Sequence, residues 1–364
     1  KYLLVHPYII DLMKMALWHS AKIFMTNNYS TKDIDFSDEI INWYILNGRE
    51  DLPWRKNISG YRVWISEIML QQTQVKTAIP FYKKFIKKYP NLKSIALATE
   101  DDILALWTGL GFYRRAKNIF KAKEIIKKEY NNRFPTKFDE LILLPGIGQS
   151  TAGAIMSIAY GKSYPILDAN VKRVISRYKN INLEKKGAMK NLWSLSKSLT
   201  PINNIFEYTQ GIMDLGATTC NARSPDCSEC PINQSCESAF EKFEIGNKNK
   251  KEKSKKKIYF TLAHSKKSFL LFKKNEKTFW ESLWVPYDNQ NLKKSNIFKE
   301  PSKSEIKNFN HALSHMDLDI TIEIFDYKRP FKIKTNLEHQ WVNKSQIDNF
   351  GLPKPIKTII ENYG

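Results

Sequence analysis

The four cysteines of this chain all lie between residues 220 and 236, with the spacing C-x6-C-x2-C-x5-C, at Cys220, Cys227, Cys230 and Cys236. Disulfides would be typical of a small secreted domain, whereas we expect a large core here and find no export-signal pattern. Zinc remains an alternative, although zinc sites usually separate two knuckles by a longer insert. Four thiolates crowded into one short loop fit an iron–sulfur cluster better.

A second constraint is the segment 63–75, whose sequence is VWISEIMLQQTQV. Because no Gly or Pro interrupts it before Pro80, it is predicted to be one helix. Apolar side chains recur on one side at helical spacing, and a polar stripe lies beside them, formed by Glu67, Gln71 and Gln74. A solvated face explains such a stripe, since most acidic residues are exposed. The alternative is a carboxylate held beside a pocket, with amides that bond to bases.

Composition favours a nucleic-acid partner over a membrane. The chain has 364 residues, a formal net charge of +21 and 42% hydrophobic residues, which allows two or three domains with a real core. A basic surface of this size suggests a polyanionic partner, although an AT-rich genome also raises the lysine content. No apolar run reaches the ~20 residues that span a bilayer.

The periodicity changes along the chain. Helical patterns dominate residues 36–236, whereas 248–257 holds seven lysines and one glutamate and is predicted to be a solvated linker. Alternating residues in 316–324 predict a half-buried strand. We also predict a strand pair at 258–264 and 268–273 and a closing helix at 356–362. The predicted segments are 1–35 (an extension, disordered or a leader), 36–219 (helical domain), 220–240 (cysteine loop), 241–257 (linker) and 258–364 (α+β domain).

A tight turn and an acidic residue follow the central helices. Gly146 and Gly148, in the sequence LPGIG, allow a turn whose backbone N–H groups face a phosphate at the start of the next helix. Such a glycine pair is more often just a turn. Asp168 then opens the helix predicted for 168–178, where an N-cap worth about 1 kcal/mol is the simplest interpretation.

These motifs occur in an order that resembles the MutY-type adenine DNA glycosylases of the endonuclease III (helix-hairpin-helix) superfamily. The segment SEIMLQQTQV resembles that family's catalytic-glutamate helix, and the cysteine spacing resembles its [4Fe–4S] loop. The resemblance covers about residues 36–236 densely. It implies a multidomain fold, in which an all-α helix-hairpin-helix glycosylase domain with a [4Fe–4S] loop precedes an α+β Nudix-like domain.

The resemblance also implies how two carboxylates divide the chemistry. Glu67 protonates adenine N7 and later handles the water, Asp168 stabilises the positive C1′, and Asn170 orients the site. Glycoside hydrolysis needs one protonated and one ionised carboxyl group. We expect an apolar pocket to raise the pKa of Glu67, and a helix N-terminus to keep the pKa of Asp168 low. Ala169 departs from the family's usual Gly.

Further positions are assigned to DNA or base contacts by the same resemblance. Gln72 would probe the base stack beside the mispair, and Phe112, where the family often has Tyr, would wedge between bases. Ser150 stands where endonuclease III-type enzymes carry a nucleophilic lysine, which favours a monofunctional enzyme. The predicted contact residues are Trp54, Arg55, Gln71, Gln72, Phe112, Gly146, Gly148, Ser150, Lys172, Ser314 and His315.

The C-terminal region resembles the Nudix-like domain of the same family. Ser314 and His315 match the family's Phe-Ser-His loop, which reads 8-oxoguanine, whereas Leu313 replaces the Phe. The stretch 279–286 resembles the Gly-Leu-Trp…Phe-Pro segment of that domain. We find no Glu-rich Nudix box, and therefore expect neither a magnesium site nor pyrophosphatase activity.

The resemblance thus implies an adenine DNA glycosylase with one [4Fe–4S] cluster. Its expected partner is double-stranded DNA containing A:8-oxoguanine or A:G, and we expect a monomer without membrane contact. The expected location is the bacterial cytoplasm, at the nucleoid, or the nucleus or an organelle if the source is eukaryotic. Two alternatives stay open: an endonuclease III-like pyrimidine or thymine glycosylase-lyase, and a catalytically inactive DNA-binding homologue. The product separates the adenine glycosylase from the glycosylase-lyase, because a lyase breaks the strand without alkali.

Overall fold

A computed structural model describes residues 36–241, 253–276, 278–289, 297–313 and 316–363. The extension predicted for 1–35 and most of the predicted linker lie outside these residues. The chain divides into two compact units, Lys1–Gly60 with Gly148–Phe243, and Tyr61–Ile147 with Glu244–Gly364. The segment boundaries given above remain predictions. Among the described helices, none combines the length and apolarity that crossing a bilayer requires.

Helices dominate residues 36–218, as the sequence predicted, and the first strand of the described residues begins at Ser254. The α-helices are α1 (Phe36–Asn47), α2 (Gly60–Leu70), α3 (Val75–Lys88), α4 (Leu92–Ile95), α5 (Glu100–Trp107), α6 (Arg114–Glu129), α7 (Phe138–Leu141), α8 (Gln149–Tyr160), α9 (Ala169–Tyr178), α10 (Ala188–Leu199), α11 (Ile205–Thr218) and α12 (Lys354–Asn362). Short 3-10 helices cover Pro53–Arg55, Asn233–Ser235 and Lys344–Asn349.

In the first unit, α11 is the helix against which α1, α8 and α9 pack. Glycines make the close approach possible: a Cβ on Gly211 would lie 2.9 Å from Ile40 Cγ2, and one on Gly216 would lie 2.7 Å from Asn170 Cβ. Ridges of neighbouring helices can approach this closely only where a side chain is missing. Gly216 therefore sets how closely α11 approaches the start of α9.

A buried ionic cluster joins distant parts of the same unit. Asp214 on α11 is fully buried and accepts hydrogen bonds from the guanidinium groups of Arg49 and Arg55. Its pKa is lowered, because these bonds outweigh the desolvation that burial imposes. A buried charge of this kind is stable only while it keeps its partners.

In the second unit, α2 is almost entirely interior. Trp64, Ile65 and Met69 have no exposed surface, and Trp64 also contacts the ring of Phe134. The predicted helix over 63–75 is wrong in its second half, because α2 ends at Leu70 and α3 begins only at Val75. Pro80 lies inside α3 and does not end it.

The C-terminal part of the second unit is built on one mixed sheet. Its strands are β1 (Ser254–Ser265), β2 (Ser268–Lys273), β3 (Trp284–Val285), β4 (Tyr287–Asp288), β5 (Lys303–Ala312), β6 (Met316–Asp326) and β7 (His339–Asn343). The main order is β3-β2-β1-β6-β5, with β4 on β1 and β7 on β2. Strands β1 and β6 are parallel, and β1 and β2 form the predicted antiparallel pair. The predicted burial alternation in β6 is confirmed at Leu318, Ile320, Ile322 and Ile324.

The turn before β3 stores backbone strain. Trp280 and Ser282 have φ of +64° and +66°, a region that favours glycine. Hydrogen bonds hold the turn, since Ser282 N–H donates to the Lys274 carbonyl at 2.7 Å and Leu283 N–H to the Trp280 carbonyl at 3.0 Å. A left-handed conformation costs a non-glycine residue on the order of 1–3 kcal/mol.

We therefore expect Ser282→Gly to stabilise the protein by about 1 kcal/mol, after the higher entropy of unfolded glycine is subtracted. Urea unfolding of the intact chain measures this. Ser304→Gly, on exposed β5, is the control and should lower the free energy of unfolding. A Ser282→Gly protein less stable than the starting protein would contradict the strain.

Candidate active site and cysteine loop

Glu67 is the one acidic residue on the largely apolar α2, whose other polar side chains belong to Arg62 and Ser66. It is half-buried, and its neighbours Ser66 and Ile68 are buried. The Gln71 N–H donates to the Glu67 carbonyl at 3.2 Å, so Glu67 belongs to the last turn of α2. The role of Glu67 as the proton donor stays a prediction.

The polar stripe predicted on this helix is wrong, because Gln71 to Gln74 form a turn. Gln72 has φ of +56°, and the Thr73 N–H donates to the Leu70 carbonyl at 3.1 Å. Gln71 Nε2 donates to the Gly146 carbonyl at 3.4 Å, and Gln72 is exposed. The turn therefore directs Gln71 towards the glycine hairpin and Gln72 towards solvent.

The glycine hairpin has the backbone that its sequence predicts. Gly146 has φ of +85°, and a Cβ there would lie 2.9 Å from Asn118 Cβ, so that both conformation and space require glycine. The Ile147 N–H donates to the Leu144 carbonyl at 3.1 Å. Gly148 caps α8 without a side-chain hydrogen bond and is exposed. The first N–H groups of α8 thus receive no side-chain cap, as in helix ends that bind anions.

Asp168 is the N-cap of α9, as the sequence predicted. Its carboxylate accepts a 2.7 Å hydrogen bond from the Val171 N–H. The expectation of a low pKa is wrong: burial raises the pKa of Asp168, against the lowering effect of the Val171 and Asn170 N–H groups and of the Arg173 charge. Desolvation outweighs the helix terminus here, so the ionised form carries a free-energy cost.

Asn170 is held from two sides. Its Oδ1 accepts a 2.9 Å hydrogen bond from Arg173 Nη2, which also donates to the Gly216 carbonyl. Arg173 Nε donates to the Cys220 carbonyl at 2.8 Å. Lys172, on the same helix, is half-buried. The first turns of α9 are therefore fixed to α11 and to the cysteine loop.

The four cysteines are free thiols that line one cavity, together with Arg177 and Ile232. Arg177 Nη1 donates to Cys220 Sγ at 3.4 Å. Burial raises the pKa of Cys230 to about 12, and neighbouring cysteines add to the effect. Within the described ranges, no three His, Cys, Asp or Glu side chains are arranged around a single ion.

Phe112 lies in a strained, exposed turn. Its side chain is 42% exposed, and its φ is +50° between Gly111 and Tyr113. The Tyr113 hydroxyl donates to the Leu352 carbonyl at 2.8 Å, and burial raises the pKa of Tyr113 to about 12. The alternative that Phe112 is plain core is excluded by this exposure.

Trp54 and Arg55 do not fit the DNA contacts expected of them. Trp54 is buried, and Arg55 has a 5% exposed side chain bound to Asp214 at 2.7 Å. A guanidinium committed to a buried carboxylate cannot also bind an external phosphate. Both residues therefore stabilise the first unit, and we do not retain them as DNA contacts.

The loop expected to read 8-oxoguanine lies outside the description, because Ser314 and His315 are not among the described residues. Its flanks are described. The Leu313 N–H donates to the Met316 carbonyl at 2.8 Å, and Lys253 Nζ donates to the Leu313 carbonyl at 2.7 Å.

Four charged residues that fix the elements around the candidate site by hydrogen bonds were not predicted from the sequence, namely Arg115, Arg173, Arg177 and Asp214. The spacing of Arg173 and Arg177, one turn apart on an amphipathic helix before the cysteine loop, was an available signal. Arg115 gave none, since exposed Arg114 beside it looks the same in sequence.

Two family models match this chain. One, described as "HhH-GPD superfamily base excision DNA repair protein", matches residues 65–198, and the other, a NUDIX domain, matches 258–362. A protein of Buchnera aphidicola subsp. Acyrthosiphon pisum named adenine DNA glycosylase is 42% identical over 90% of this chain and 97% of its own length. The Homo sapiens protein of that name is 36% identical over 55% of this chain and 39% of its own. A solved thermostable thymine-DNA glycosylase has 30% identity and a TM-score of 0.51, over 56% of this chain and 94% of that one.

Proposed function

This chain belongs to the adenine DNA glycosylases, and we propose that it removes adenine paired with 8-oxoguanine, or with guanine, from double-stranded DNA. As a member of that family it is a DNA N-glycosylase of base excision repair, a hydrolase. The family, the helix-hairpin-helix domain and the Nudix-like domain expected from the motifs are thereby confirmed.

The proposal assigns one task to each carboxyl group. The target adenosine leaves the base stack, since its N-glycosidic bond is not accessible inside a duplex. Glu67 gives its proton to adenine N7, and the C1′–N9 bond then breaks with its electron pair leaving on the base. Water adds to C1′ and returns a proton to Glu67. Free adenine and an abasic site result.

Asp168 stabilises the cation that forms at C1′. The observation that carries this role is its buried carboxylate, fixed by the 2.7 Å bond from the Val171 N–H. The charge is costly in the free protein, because burial raises its pKa. An oxocarbenium ion beside it offsets that cost only as the transition state forms, which is the preferential stabilisation that catalysis requires. Asn170, held by Arg173, orients the site.

We propose that one [4Fe–4S] cluster is bound by the cysteine loop, through Cys220, Cys227, Cys230 and Cys236. Four free thiols around one cavity fit a thiolate-bound cluster. The raised pKa of Cys230 means that binding must release protons, as for other thiolate sites. When bound, the cluster supplies cross-linking of the loop. Iron and sulfide analysis of the purified chain tests this assignment.

DNA contacts are proposed for the exposed hairpin and turns. Gly146, Gly148 and the first N–H groups of α8 suit a backbone phosphate, and Lys172 on α9 is proposed as a further DNA contact. Gln72 and Phe112 are proposed to enter the base stack, with Gln71 behind them. Ser314 and His315 are proposed to read 8-oxoguanine. We also propose a monomer that acts in the bacterial cytoplasm, in keeping with its Buchnera relatives.

We expect the enzyme to be monofunctional. By the resemblance, Ser150 stands where the lyases carry their nucleophilic lysine, and its Oγ accepts a 2.9 Å hydrogen bond from the Leu167 N–H, which gives it a structural task. An end-labelled duplex incubated with the chain should therefore remain intact until alkali cleaves the abasic site. A strand that breaks at the adenine without alkali, with a borohydride-trapped protein adduct, would favour the glycosylase-lyase alternative.

A further inference from the structure

Arg115 is a buried cation at the start of α6, 7% exposed, for which the glycosylase reaction gives no role. Its Nη1 donates to the carbonyls of Ile68 at 3.1 Å, Met69 at 2.7 Å and Gln71. Nη1 thus lies within hydrogen-bond distance of two carbonyls in the last turn of α2 and of one carbonyl in the turn that follows it. The residue ends α2, the helix that carries Glu67.

The physical effect is that of a helix cap supplied from elsewhere in the chain. The last carbonyls of a helix lack partners in the helix and carry its negative partial charge. A guanidinium placed there satisfies both needs. Arg115 Nη2 also donates to Thr73 Oγ1 at 3.0 Å. The guanidinium therefore also binds the turn that contains Gln72, whose φ is +56°.

The same guanidinium reaches the second exposed turn. Nη2 donates to the Gly111 carbonyl at 3.2 Å, which also accepts a 3.0 Å bond from Trp107 Nε1. The Arg115 guanidinium carbon lies 5.4 Å from the ring centroid of Phe112 and 5.5 Å from that of Trp107. Cation–π attraction of this kind holds exposed aromatic rings in place.

We propose that Arg115 is a positioning residue for base extrusion, which locks the turn bearing Gln72 and the turn bearing Phe112 into one rigid element on the end of the Glu67 helix. The inference rests on the proposed entry of Gln72 and Phe112 into DNA. Arg115 touches neither substrate nor the reacting atoms.

Lysine cannot replace this arrangement. Arginine offers donors in a planar fork and a flat face for stacking, whereas an ammonium group is a point charge with three donors. Burial lowers the pKa of Arg115 to about 10, so the group stays charged at neutral pH. Arg115→Lys therefore keeps the charge and loses the simultaneous bonds to both turns.

The test compares two duplexes with the full chain. In one, adenine faces 8-oxoguanine; in the other, it faces an abasic site and is already poorly stacked. We expect Arg115→Lys to lower the single-turnover rate about 10²-fold on the first duplex, the size of a misplacement effect, and clearly less on the second. Fluorescence of 2-aminopurine in place of the adenine should show reduced unstacking on the first duplex.

Two controls separate positioning from general damage. Arg114→Lys makes the same change at the exposed neighbour and should alter neither rate. Lys123→Met removes another buried cation of the same unit, which donates to the Ala98 carbonyl at 2.6 Å. It should lower stability without changing the ratio of the two rates. An equal loss on both duplexes for Arg115→Lys would overturn the inference.

A double-variant cycle keeps the inference testable if Arg115→Lys is poorly folded. Rates are expressed per folded molecule. Phe112→Ala alone should slow adenine release from the paired duplex. Adding Arg115→Lys to Phe112→Ala should then lower the rate only slightly further, since both residues act on one step. Full additivity would contradict the coupling. Failure of the proposed function is distinct, because the unaltered chain would then release no adenine from either duplex.

Discussion

We expect Glu67→Gln to lower the single-turnover rate of adenine release by about 10²–10⁴-fold, the contribution typical of a general acid. Glutamine matches the size of glutamate and cannot give up a proton to the leaving base. Adenine would then have to leave without protonation at N7. Release is measured by quenching at times shorter than one turnover and separating free adenine.

DNA binding should be unaffected by this change, since a carboxyl group contributes no attraction to the phosphates of the duplex. The affinity of Glu67→Gln for an A:8-oxoguanine duplex is therefore expected to equal that of the unaltered chain. Glu129→Gln, at the exposed end of α6, is the matched control and should leave the rate unchanged. A Glu67→Gln protein that releases adenine at the original rate would remove Glu67 from the mechanism.

Asp168→Asn is expected to lower the rate about 10²–10³-fold, as when a group that stabilises transition-state charge is lost, and at the same time to stabilise the fold at neutral pH. Asparagine is as good an N-cap as aspartate, so the hydrogen bond with the Val171 N–H is kept. What disappears is a buried charge whose formation is unfavourable, as the raised pKa of Asp168 indicates.

The pH dependence follows from the direction of that shift. Because the pKa of Asp168 is higher in the folded than in the unfolded state, the native protein holds the proton longer, and stability falls as pH rises through the two values. The stability advantage of Asp168→Asn should therefore be absent below the ordinary carboxyl range and complete above the folded pKa. Thermal unfolding across this pH range measures it.

Asp139→Asn provides the control for this pair of effects, because Asp139 is an exposed residue in the first turn of α7. Neither its activity nor its stability should change with pH relative to the unaltered chain. An Asp168→Asn protein that is less stable at neutral pH, or equally stabilised at every pH, would show that burial of the carboxylate is not the dominant influence.

Local patterns predicted most of the fold. Helix α9 and the β1–β2 pair begin and end within a few residues of the expected positions, because their caps and alternation are encoded next to them. The Gly146 hairpin and the Asp168 N-cap also follow from adjacent residues. These features are short-range, so a single sequence contains their signal.

Long-range partners account for what the sequence could not predict. The last turn of α2 is bound by Arg115, which lies 46 positions beyond Met69 in the chain. Arg55 is directed inward by Asp214, which lies 159 positions further along the chain. The pKa of Asp168 depends on burial by packed helices, which outweighs the local N–H groups. Each of these features depends on residues that are distant in the chain, and the local sequence pattern therefore carries no signal for it.

The most direct test of the account is single-turnover adenine release by the unaltered chain from a duplex with one A:8-oxoguanine pair, beside the same duplex with A:T. The account predicts free adenine and an abasic site from the first duplex, and little from the second. Tight binding of the A:8-oxoguanine duplex without any release would contradict it, and would leave a DNA-binding protein that has kept the glycosylase fold.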